Sequence, residues 1–405
     1  MLLIGLFSAL QNATAADQPV GPGDRLAALR RGEAFHTVGW EVFPSASLRG
    51  GYDDNITLSS MRPAASPEIE AEGALEARFK TGPYTIVADA GVVRTWYPSA
   101  QELDSTEGRI RATVSAELAQ LSLRGSVAYV REAERSRNNG LFVDGVFEPY
   151  TTRPIIERAT AEAGSTYAIG RTTLSADARV STVGADPLAT ASGTIVEQSF
   201  REGFESEFRA RAAYDANPLL DVFADVSANL RRYEDSDADN DIWRSVFGVK
   251  FELTRLLHSE VRAGVAVQSF PDGAKASGFV YGASLRWFPD EMLSLALEAE
   301  HDFGADVERL GGLTFAVPTA HDAYKLHAEW ELLRPLFLVL EASFEDNKRE
   351  RSTRTEDLLT LSAGATYSLT RNLRLEAQYA YALGTSNFSG NFDRSRVSLG
   401  VTTTY

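Results

Sequence analysis

The stretch Arg394-Ser-Arg-Val-Ser-Leu-Gly-Val-Thr-Thr-Thr-Tyr405 decides the fold. In an extended strand, successive side chains point to opposite sides. Val397, Leu399, Val401 and Tyr405 therefore share one face, while arginine, serine, glycine and threonine residues share the other. The first face suits lipid and the second suits water. An ordinary edge strand of a soluble sheet is the alternative, and the rest of the chain distinguishes the two.

The same pattern repeats from Trp40 onward. Segments of about ten residues alternate apolar with polar or charged side chains, as strands that cross a membrane do. Between Ile69 and Phe79, apolar and small residues alternate with glutamates and an arginine. Residues 220–231 and 324–332 alternate in the same way. A period of two without a sustained helical period predicts strands throughout.

The connections between these segments alternate in length. Thr81-Gly-Pro83 is a typical short one, and residues 303–321 are a typical long, polar one. In lipid each unpaired backbone group costs several kcal/mol, and a closed ring of strands leaves none unpaired. The sequence therefore predicts an all-β fold, a closed antiparallel transmembrane β-barrel of about 18 strands. We expect short periplasmic turns, long outer loops and periplasmic termini.

Aromatic residues gather at both ends of the predicted strands. Two aromatic girdles bracket the apolar band of membrane barrels. A soluble β-sandwich also alternates, but it does not explain this two-ended distribution or the heavily charged faces. The set near the short turns is Tyr84, Tyr167, Tyr214, Trp287, Trp330, Tyr367 and Tyr405, and the set near the long loops is Trp96, Tyr129, Tyr233, Phe270, Phe303 and Phe344.

The N-terminal residues predict export. Leu2 to Leu10 is too short to span a membrane as a helix and precedes Ala13-Thr-Ala15, a small-x-small pattern. We predict a signal peptide at 1–15, a periplasmic arm at 16–39 with a short helix in it, and an outer-membrane barrel at 40–405. For the arm, a loose tether is favoured over a docking element. The predicted location is the outer membrane of a Gram-negative bacterium.

The amino-acid composition limits which binding partners and cofactors are expected. The chain has no cysteine and a formal net charge of -16. This charge argues against nucleic acid as a partner. The five histidines show no zinc spacing, and no cofactor is predicted. The predicted partners are outer-membrane lipid and lipopolysaccharide, the barrel assembly machinery, and small polar solutes or polysaccharide, with a monomer and a trimer both open.

The polar strand faces predict a water-filled lumen, since charges of both signs are too costly to bury dry. The connection 134–154 carries several apolar and aromatic residues, so we expect it to fold inward or lie over the mouth. Its acids would then oppose arginines on the wall and orient polar solutes. An exposed outer loop is the alternative. The predicted pore-lining residues are Arg109, Arg111, Arg124, Asp144, Glu148, Arg158, Glu205, Glu207, Arg209 and Arg211.

Two other groups are weaker candidate sites. Asp235, Asp237 and Asp239 resemble the start of a calcium loop but lack its glycine and its late glutamate, so a solvated acidic loop is the alternative. His301-Asp302 and His321-Asp322 end one predicted strand and begin the next. Together they would place histidines beside carboxylates, as general-base catalysis needs. Ordinary histidines at a loop edge are the alternative.

Residues Trp40 to Ile56, with Phe43-Pro44 and Tyr52-Asp-Asp-Asn-Ile56, resemble the opening strand of the Putative beta-barrel porin 2 family. The resemblance extends loosely over 40–405 and implies an outer-membrane barrel, and no catalytic residues carry over from it. Some related barrels look associated with exopolysaccharide export. The residues Val397, Leu399, Val401 and Tyr405 resemble the C-terminal signal that the assembly machinery recognises.

The sequence thus predicts a porin for passive passage of polar or charged solutes. An outer-membrane pore for exopolysaccharide export is the alternative, and a barrel enzyme with histidine and aspartate at its outer mouth is a third. The solute itself does not follow from the sequence.

Overall fold

The computed structural model describes residues 21–59, 63–134, 140–143, 146–149, 153–190, 193, 195–310, 313–349, 354–387 and 390–405. Eighteen long strands and one short strand (Phe35–Thr37) form a single antiparallel sheet. The long strands are β1 (Trp40–Asp53), β2 (Ser66–Thr81), β3 (Tyr84–Trp96), β4 (Ser105–Leu118), β5 (Leu121–Ala133), β6 (Ile155–Ile169), β7 (Thr172–Ala185), β8 (Gly203–Asn217), β9 (Leu220–Tyr233), β10 (Asn240–Thr254), β11 (Leu257–Ser269), β12 (Lys275–Asp290), β13 (Leu293–Leu310), β14 (Leu313–Leu333), β15 (Leu336–Arg349), β16 (Thr355–Ser368), β17 (Leu373–Ser386) and β18 (Phe392–Thr404).

The sheet closes on itself. Each long strand pairs with the next along the chain, and β18 pairs with β1 from Ser45↔Thr404 to Asp53↔Arg396. Closure removes both edges, so within the wall each of the eighteen strands has a partner strand on both sides. The predicted barrel and its strand number are therefore confirmed.

The outer face of the ring is apolar. Ile110 is 61% exposed, Leu399 66% and Phe247 71%, and each lies between residues that point into the ring. Exposure of this kind around a whole sheet is stable where lipid covers it. No helix among the described residues is long and apolar enough to cross a membrane.

The two ends of the barrel differ in their connections. At one end, seven links have two residues and one, 369–372, has four. We call this the turn end, and the opposite end the loop end. In the turns after β2 and β6, Gly82 and Gly170 adopt φ of 55° and 60°, a region that glycine enters without steric cost. Strand β1 begins and β18 ends at the turn end, as an even strand number requires.

The aromatic girdles match the prediction at most positions. Tyr84, Trp330 and Tyr405 are 49%, 44% and 53% exposed at the turn end. The predicted positions of Phe270 and Phe303 in the loop-end girdle are wrong, because these rings are 8% and 2% exposed.

The prediction of a long polar loop at 303–321 is also wrong. Strands β13 and β14 stay paired from Leu293↔Trp330 to Leu310↔Leu313. Pairing with the flanking strands stops at His301 on β13 and Thr319 on β14, so the described residues of 302–318 form a two-stranded ribbon outside the wall. Pro318 lies where the ribbon leaves the wall, a position where its missing N–H leaves no gap in the sheet.

The N-terminal arm has a fixed structure in its described part. Helix α1 (Pro22–Arg31) begins with proline in its first turn and ends before Gly32, which adopts φ of 78°. Strand Phe35–Thr37 then pairs with the start of β1, and the rings of Phe35 and Tyr405 stack with centroids 3.4 Å apart. The short helix is confirmed, whereas a loose tether does not fit these contacts. The predicted signal peptide lies outside the described residues.

Candidate functional site

The lumen is the candidate site, because the strands direct their charged side chains into it. On β8, Arg209 and Arg211 point inward and alternate with outward apolar or small residues. Both guanidinium groups donate to Asp225 on β9, at 2.8 Å from Arg209 and 2.7 Å from Arg211. Arg211 also covers the ring of Phe223, 4.0 Å from its centroid. Such clusters hold the side chains against the wall and leave the centre of the ring to water.

Neighbouring clusters continue this lining toward the first strands. Arg111 on β4 donates to Glu162 on β6 at 3.4 Å, and Arg179 on β7 lies 3.6 Å from the same carboxylate. Nearer the loop end, Glu205 lies 3.6 Å from Arg158 and accepts from Arg231 at 3.1 Å. Each carboxylate thus joins strands that are not direct neighbours.

Another cluster crosses the seam where the first and last strands meet. Arg49 on β1 donates to Glu70 at 2.5 Å and to Glu376 on β17 at 3.5 Å. Arg396 on β18 donates to Glu68 at 2.6 Å. Arg109 on β4 reaches Glu72 on β2 at 3.3 Å. Side chains therefore link five strands around the seam, β17, β18, β1, β2 and β4, in addition to the backbone bonds of the sheet.

Two inward glycines make room for these long arginines. A Cβ at Gly400 would lie 2.5 Å from Cγ of Arg49, which crosses β18 there to reach Glu376. A Cβ at Gly282 would lie 3.1 Å from Nε of Arg262, which crosses β12 to donate to Glu300 at 2.8 Å. The absent side chain lets an ion pair span three strands.

Replacement of Gly400 by valine is therefore expected to displace Arg49 and to destabilise the barrel by about 1–3 kcal/mol, as overpacking does. The measurement is urea unfolding in lipid vesicles. Gly50→Val is the matched control, because an outward Cβ at Gly50 meets no atom within 4 Å. Equal stability of the two variants would contradict this role of Gly400.

The charges are unevenly distributed around the ring. Inward carboxylates outnumber inward cations on the strands from β13 through the seam to β2. On β4 to β12, arginines and carboxylates are close to balance. We call the strands from β13 through the seam to β2 the acidic wall. Its inward carboxylates are Glu298, Glu300, Asp302, Glu329, Glu331, Glu341, Glu345, Glu356, Glu376, Glu41, Asp53, Glu68, Glu70, Glu72 and Glu76. Its inward cations are Lys325, Arg349, Arg374, Arg394, Arg396, Arg49, Arg78 and Lys80.

The segment Tyr52 to Ile56 locks the seam at the loop end. Asp53 is fully buried and accepts from Nε of Arg394 at 2.9 Å and 3.0 Å. Asp54 accepts from the backbone N–H of Ser395 at 2.7 Å. Asn55 donates to the carbonyl of Asp393 at 2.8 Å. Three consecutive polar residues at the end of β1 therefore bind the start of β18.

These residues belong to the segment whose resemblance to a family was noted above, and the sequence profile of that family matches residues 36–405. The chain belongs to the Putative beta-barrel porin 2 family. Membership and the closed barrel make it an outer-membrane porin, a channel for passive passage of solutes. Among curated proteins, no sequence matches this porin.

Solved structures with a similar barrel come from Pseudomonas aeruginosa and Acinetobacter baumannii. Pseudomonas aeruginosa OpdK, crystallised with vanillate, is 10% identical with a TM-score of 0.47, over 90% of this chain and 99% of that one. OccK2 (OpdF) of the same species, in complex with glucuronate, is 10% identical with a TM-score of 0.47, over 90% and 98%. Acinetobacter baumannii OccAB3 is 10% identical with a TM-score of 0.44, over 90% and 99%. At this level, the molecules bound to those proteins say nothing about the solute of this porin.

The ribbon 302–318 leans over the loop end of the porin. The carbonyl of Ala305 accepts from Nη1 of Arg231 on β9 at 3.0 Å, four strands away from β13. Asp302 accepts from Arg244 on β10 at 2.9 Å. Phe303 packs against Ala266 and Val280 on the inner wall. The ribbon therefore narrows the loop end of the lumen, and the apolar run that includes Val317 was the overlooked signal in the sequence.

The predicted constriction at 134–154 lies partly within the described residues. Its described middle is a short hairpin of strands Gly140–Val143 and Val146–Pro149. Both ends are tied to other loops: Glu134 accepts from Arg201 at 2.7 Å, and Arg153 donates to the hydroxyl of Tyr97 at 3.2 Å. Asp144 and the side chain of Glu148 lie outside the described residues, so their role stays a prediction.

Of the other predicted pore residues, most lie within the clusters above. Arg124 lies on the inner face of β5, where it alternates with outward Leu123. Glu207 lies on the inner face of β8, directly opposite Arg179 of β7 in the strand register. The predicted residues line two neighbouring parts of one wall and do not form a single ring.

The histidine pairs do not form the predicted joint set. His301 lies on the outer face, where it stacks on Tyr281 and bonds to Asp322 at 2.7 Å. His321 points inward and bonds to Asn347 at 2.7 Å, while the inward Asp302 is bound to Arg244. Strand alternation separates the two histidines even though the register places the pairs side by side.

The aspartates of the predicted calcium loop serve the local backbone. Asp235 accepts from the N–H of Asp237 at 3.3 Å, and Asp239 accepts from the N–H of Tyr233 at 2.8 Å. Within the described ranges, no three histidine, aspartate or glutamate side chains are grouped to hold a metal ion. Turn formation accounts for these residues without a metal.

Proposed function

We propose that small polar solutes, cations more readily than anions, diffuse through the lumen between the acidic wall and the arginine-bearing strands β4–β8. The observation that carries this proposal is the charged, ion-paired lining around the inside of a closed ring. A lumen of this size and charge is stable only when water fills it. Water-filled space with side chains held against the wall is a path for solutes.

The unequal walls create a field across the path. Arg124 on β5 and Arg211 on β8 lie on inner faces of strands that are opposite the acidic wall in the strand order of the ring. A transverse field orients dipolar solutes and disfavours apolar ones. In this proposal the acidic wall supplies the negative side of the transverse field. The sequence had predicted that Asp144 and Glu148 supply it.

The ribbon 302–318 is the proposed narrow point at the loop end. Replacement of residues 304–317 by two glycines would remove it and leave β13 and β14 joined. The expected result is a larger conductance and faster swelling of proteoliposomes in sugars that the natural protein admits slowly. Unchanged size dependence would contradict this assignment.

The same lining does not favour the exopolysaccharide alternative. An acidic polymer would be repelled by the excess of carboxylates such as Glu70 and Glu341 on the acidic wall. Whether the assembly holds one barrel or three stays a prediction, which cross-linking in outer membranes decides.

In our proposal the turn end faces the periplasm, and the apolar belt contacts outer-membrane lipid and lipopolysaccharide. Long outer loops and short periplasmic turns are the usual arrangement. Val397, Leu399, Val401 and Tyr405 face outward at the seam, where the barrel assembly machinery could recognise them.

Deletion of Tyr405 is expected to lower the amount of folded barrel in the outer membrane several-fold, with an unchanged conductance for each barrel that inserts. The physical reason is loss of the exposed aromatic end and of its stacking on Phe35. Quantitative blotting of outer membranes measures the first, and single-channel recording the second. Tyr405→Phe keeps the ring and serves as control. Normal amounts of the truncated protein would refute the assembly role.

A further inference from the structure

Helix α1 lies against the inner wall at the turn end of the barrel. Arg25 donates to the inward carboxylate of Glu331 on β14 at 2.5 Å. On the far side of the seam, Arg31 lies 3.3 Å from Glu76 on β2 and 5.8 Å from the ring of Phe43. Between them, Arg374 of β17 donates to the carbonyl of Leu29. A ten-residue helix thus spans the turn-end mouth from β14 to β2.

The helix has a wall side and a water side. Leu26 is 3% exposed and Pro22 is also buried, whereas Asp24, Ala27 and Ala28 are exposed. The helix carries three arginines and one aspartate, so it has a net positive charge. It lies beside the acidic wall, where inward carboxylates outnumber inward cations. Charge complementarity and the helical spacing of the buried residues therefore both favour this position of α1 against the inner wall.

The chain that follows the helix is held differently. The N–H of Glu33 donates to the carbonyl of Tyr405 at 2.6 Å, and strand Phe35–Thr37 is paired with β1. These are backbone bonds of the sheet. The helix itself is held mostly by side chains, and Gly32, with φ of 78°, lies between the two parts. Backbone bonds therefore hold the chain from Glu33 onward, whereas the helix before Gly32 is held mostly by side-chain contacts.

We propose that α1 is a displaceable plug, which narrows the turn-end mouth while its arginines bind Glu331 and Glu76 and widens it when the helix swings out about Gly32. The proposal rests on the pore function above and adds gating to it. Because partly exposed ion pairs weaken in salt, plugging is strongest at low ionic strength. A released helix exposes the carboxylates of the mouth, so release also strengthens the preference for cations.

The test is charge exchange, followed by single-channel recording. Arg25→Glu places a carboxylate against Glu331, and Glu331→Arg places two cations together. Each single variant is expected to raise the ratio of open to plugged time about tenfold, the change that 1.4 kcal/mol produces. The double variant Arg25→Glu/Glu331→Arg is expected to restore the natural ratio, which a merely structural role of either residue would not predict.

The matched control is Ala27→Glu/Ala28→Glu, which changes the helix charge by the same two units on the water side and is expected to leave the ratio near that of the natural protein. A second measurement uses the absence of cysteine from the chain. Cysteines at positions 25 and 331, joined by a short reducible bis-thiosulfonate, are expected to hold the low conductance until reductant is added.

The plug proposal is contradicted if the natural protein, the two single variants and the double variant all have the same ratio of open to plugged time. It is also contradicted if the cross-link does not change the conductance. Neither result would contradict the pore function. If every variant is folded and none conducts, the pore itself is contradicted. Folding is checked in each case by the mobility shift of unheated barrels in detergent gels.

Discussion

Replacement of Asp53 by alanine is expected to destabilise the barrel by about 3–5 kcal/mol, the cost of breaking a buried ion pair by removing one partner. Asp53 has no exposed surface, and its carboxylate holds Arg394, whose side chain is 15% exposed. Without the carboxylate, Arg394 is left buried and unpaired at the seam. Because the pairing of β1 with β18 closes the ring, we expect the loss to weaken closure of the whole barrel.

Urea unfolding in lipid vesicles, monitored by tryptophan fluorescence, measures this effect. Arg371→Ala is the control, since Arg371 is 88% exposed and its pair with Glu33 is worth at most about 1 kcal/mol. Arg394→Asp combined with Asp53→Arg should recover part of the stability lost by either single exchange. An Asp53→Ala barrel as stable as Arg371→Ala would show that the seam does not depend on this pair.

Neutralisation of two carboxylates on the acidic wall is expected to reduce the preference for cations about threefold per charge. Glu298 is exposed to the lumen, and the side chain of Glu341 is 59% exposed. A unit charge about 7 Å from a passing ion contributes about 0.6 kcal/mol in water, and screening in about 0.1 M salt roughly halves this energy. Attraction of the cation and repulsion of the anion then add to about 0.6 kcal/mol, which gives this factor. Glutamine keeps the shape and the hydrogen bond from His327, so the wall itself should not move.

The measurement is the reversal potential in a salt gradient for the Glu298→Gln/Glu341→Gln variant. Glu102→Gln/Asp272→Asn is the control, because it removes the same charge from exposed residues of the loop end. A reversal potential that shifts equally in both variants would mean that net charge, and not the lining, sets selectivity.

The sequence predicted the barrel because lipid and water impose opposite demands on alternate residues. Ile110 and Leu399 are exposed for that reason, and the inward arginines follow from the same alternation. The count of strands followed from turn chemistry that is local to each connection. These features need no knowledge of which residues meet in space.

The rest depends on contacts between distant strands. Asp53 and Arg394 are 341 positions apart, so the sequence showed the motif and not its partner. The direction of the ribbon 302–318 depends on the packing of Phe303 against Ala266, on another strand. Helix α1 was predictable from Pro22 and Gly32. Its position in the barrel was not, because the carboxylates that bind it come from opposite sides of the seam.

The conductance of the purified, folded barrel in planar lipid bilayers shows directly whether the protein is a water-filled pore. We expect discrete conductance steps in neutral salt, with cations preferred over anions. Barrels that are folded by their gel mobility and inserted in the bilayer, yet conduct no more than lipid alone in both natural and Arg25→Glu forms, would contradict the account.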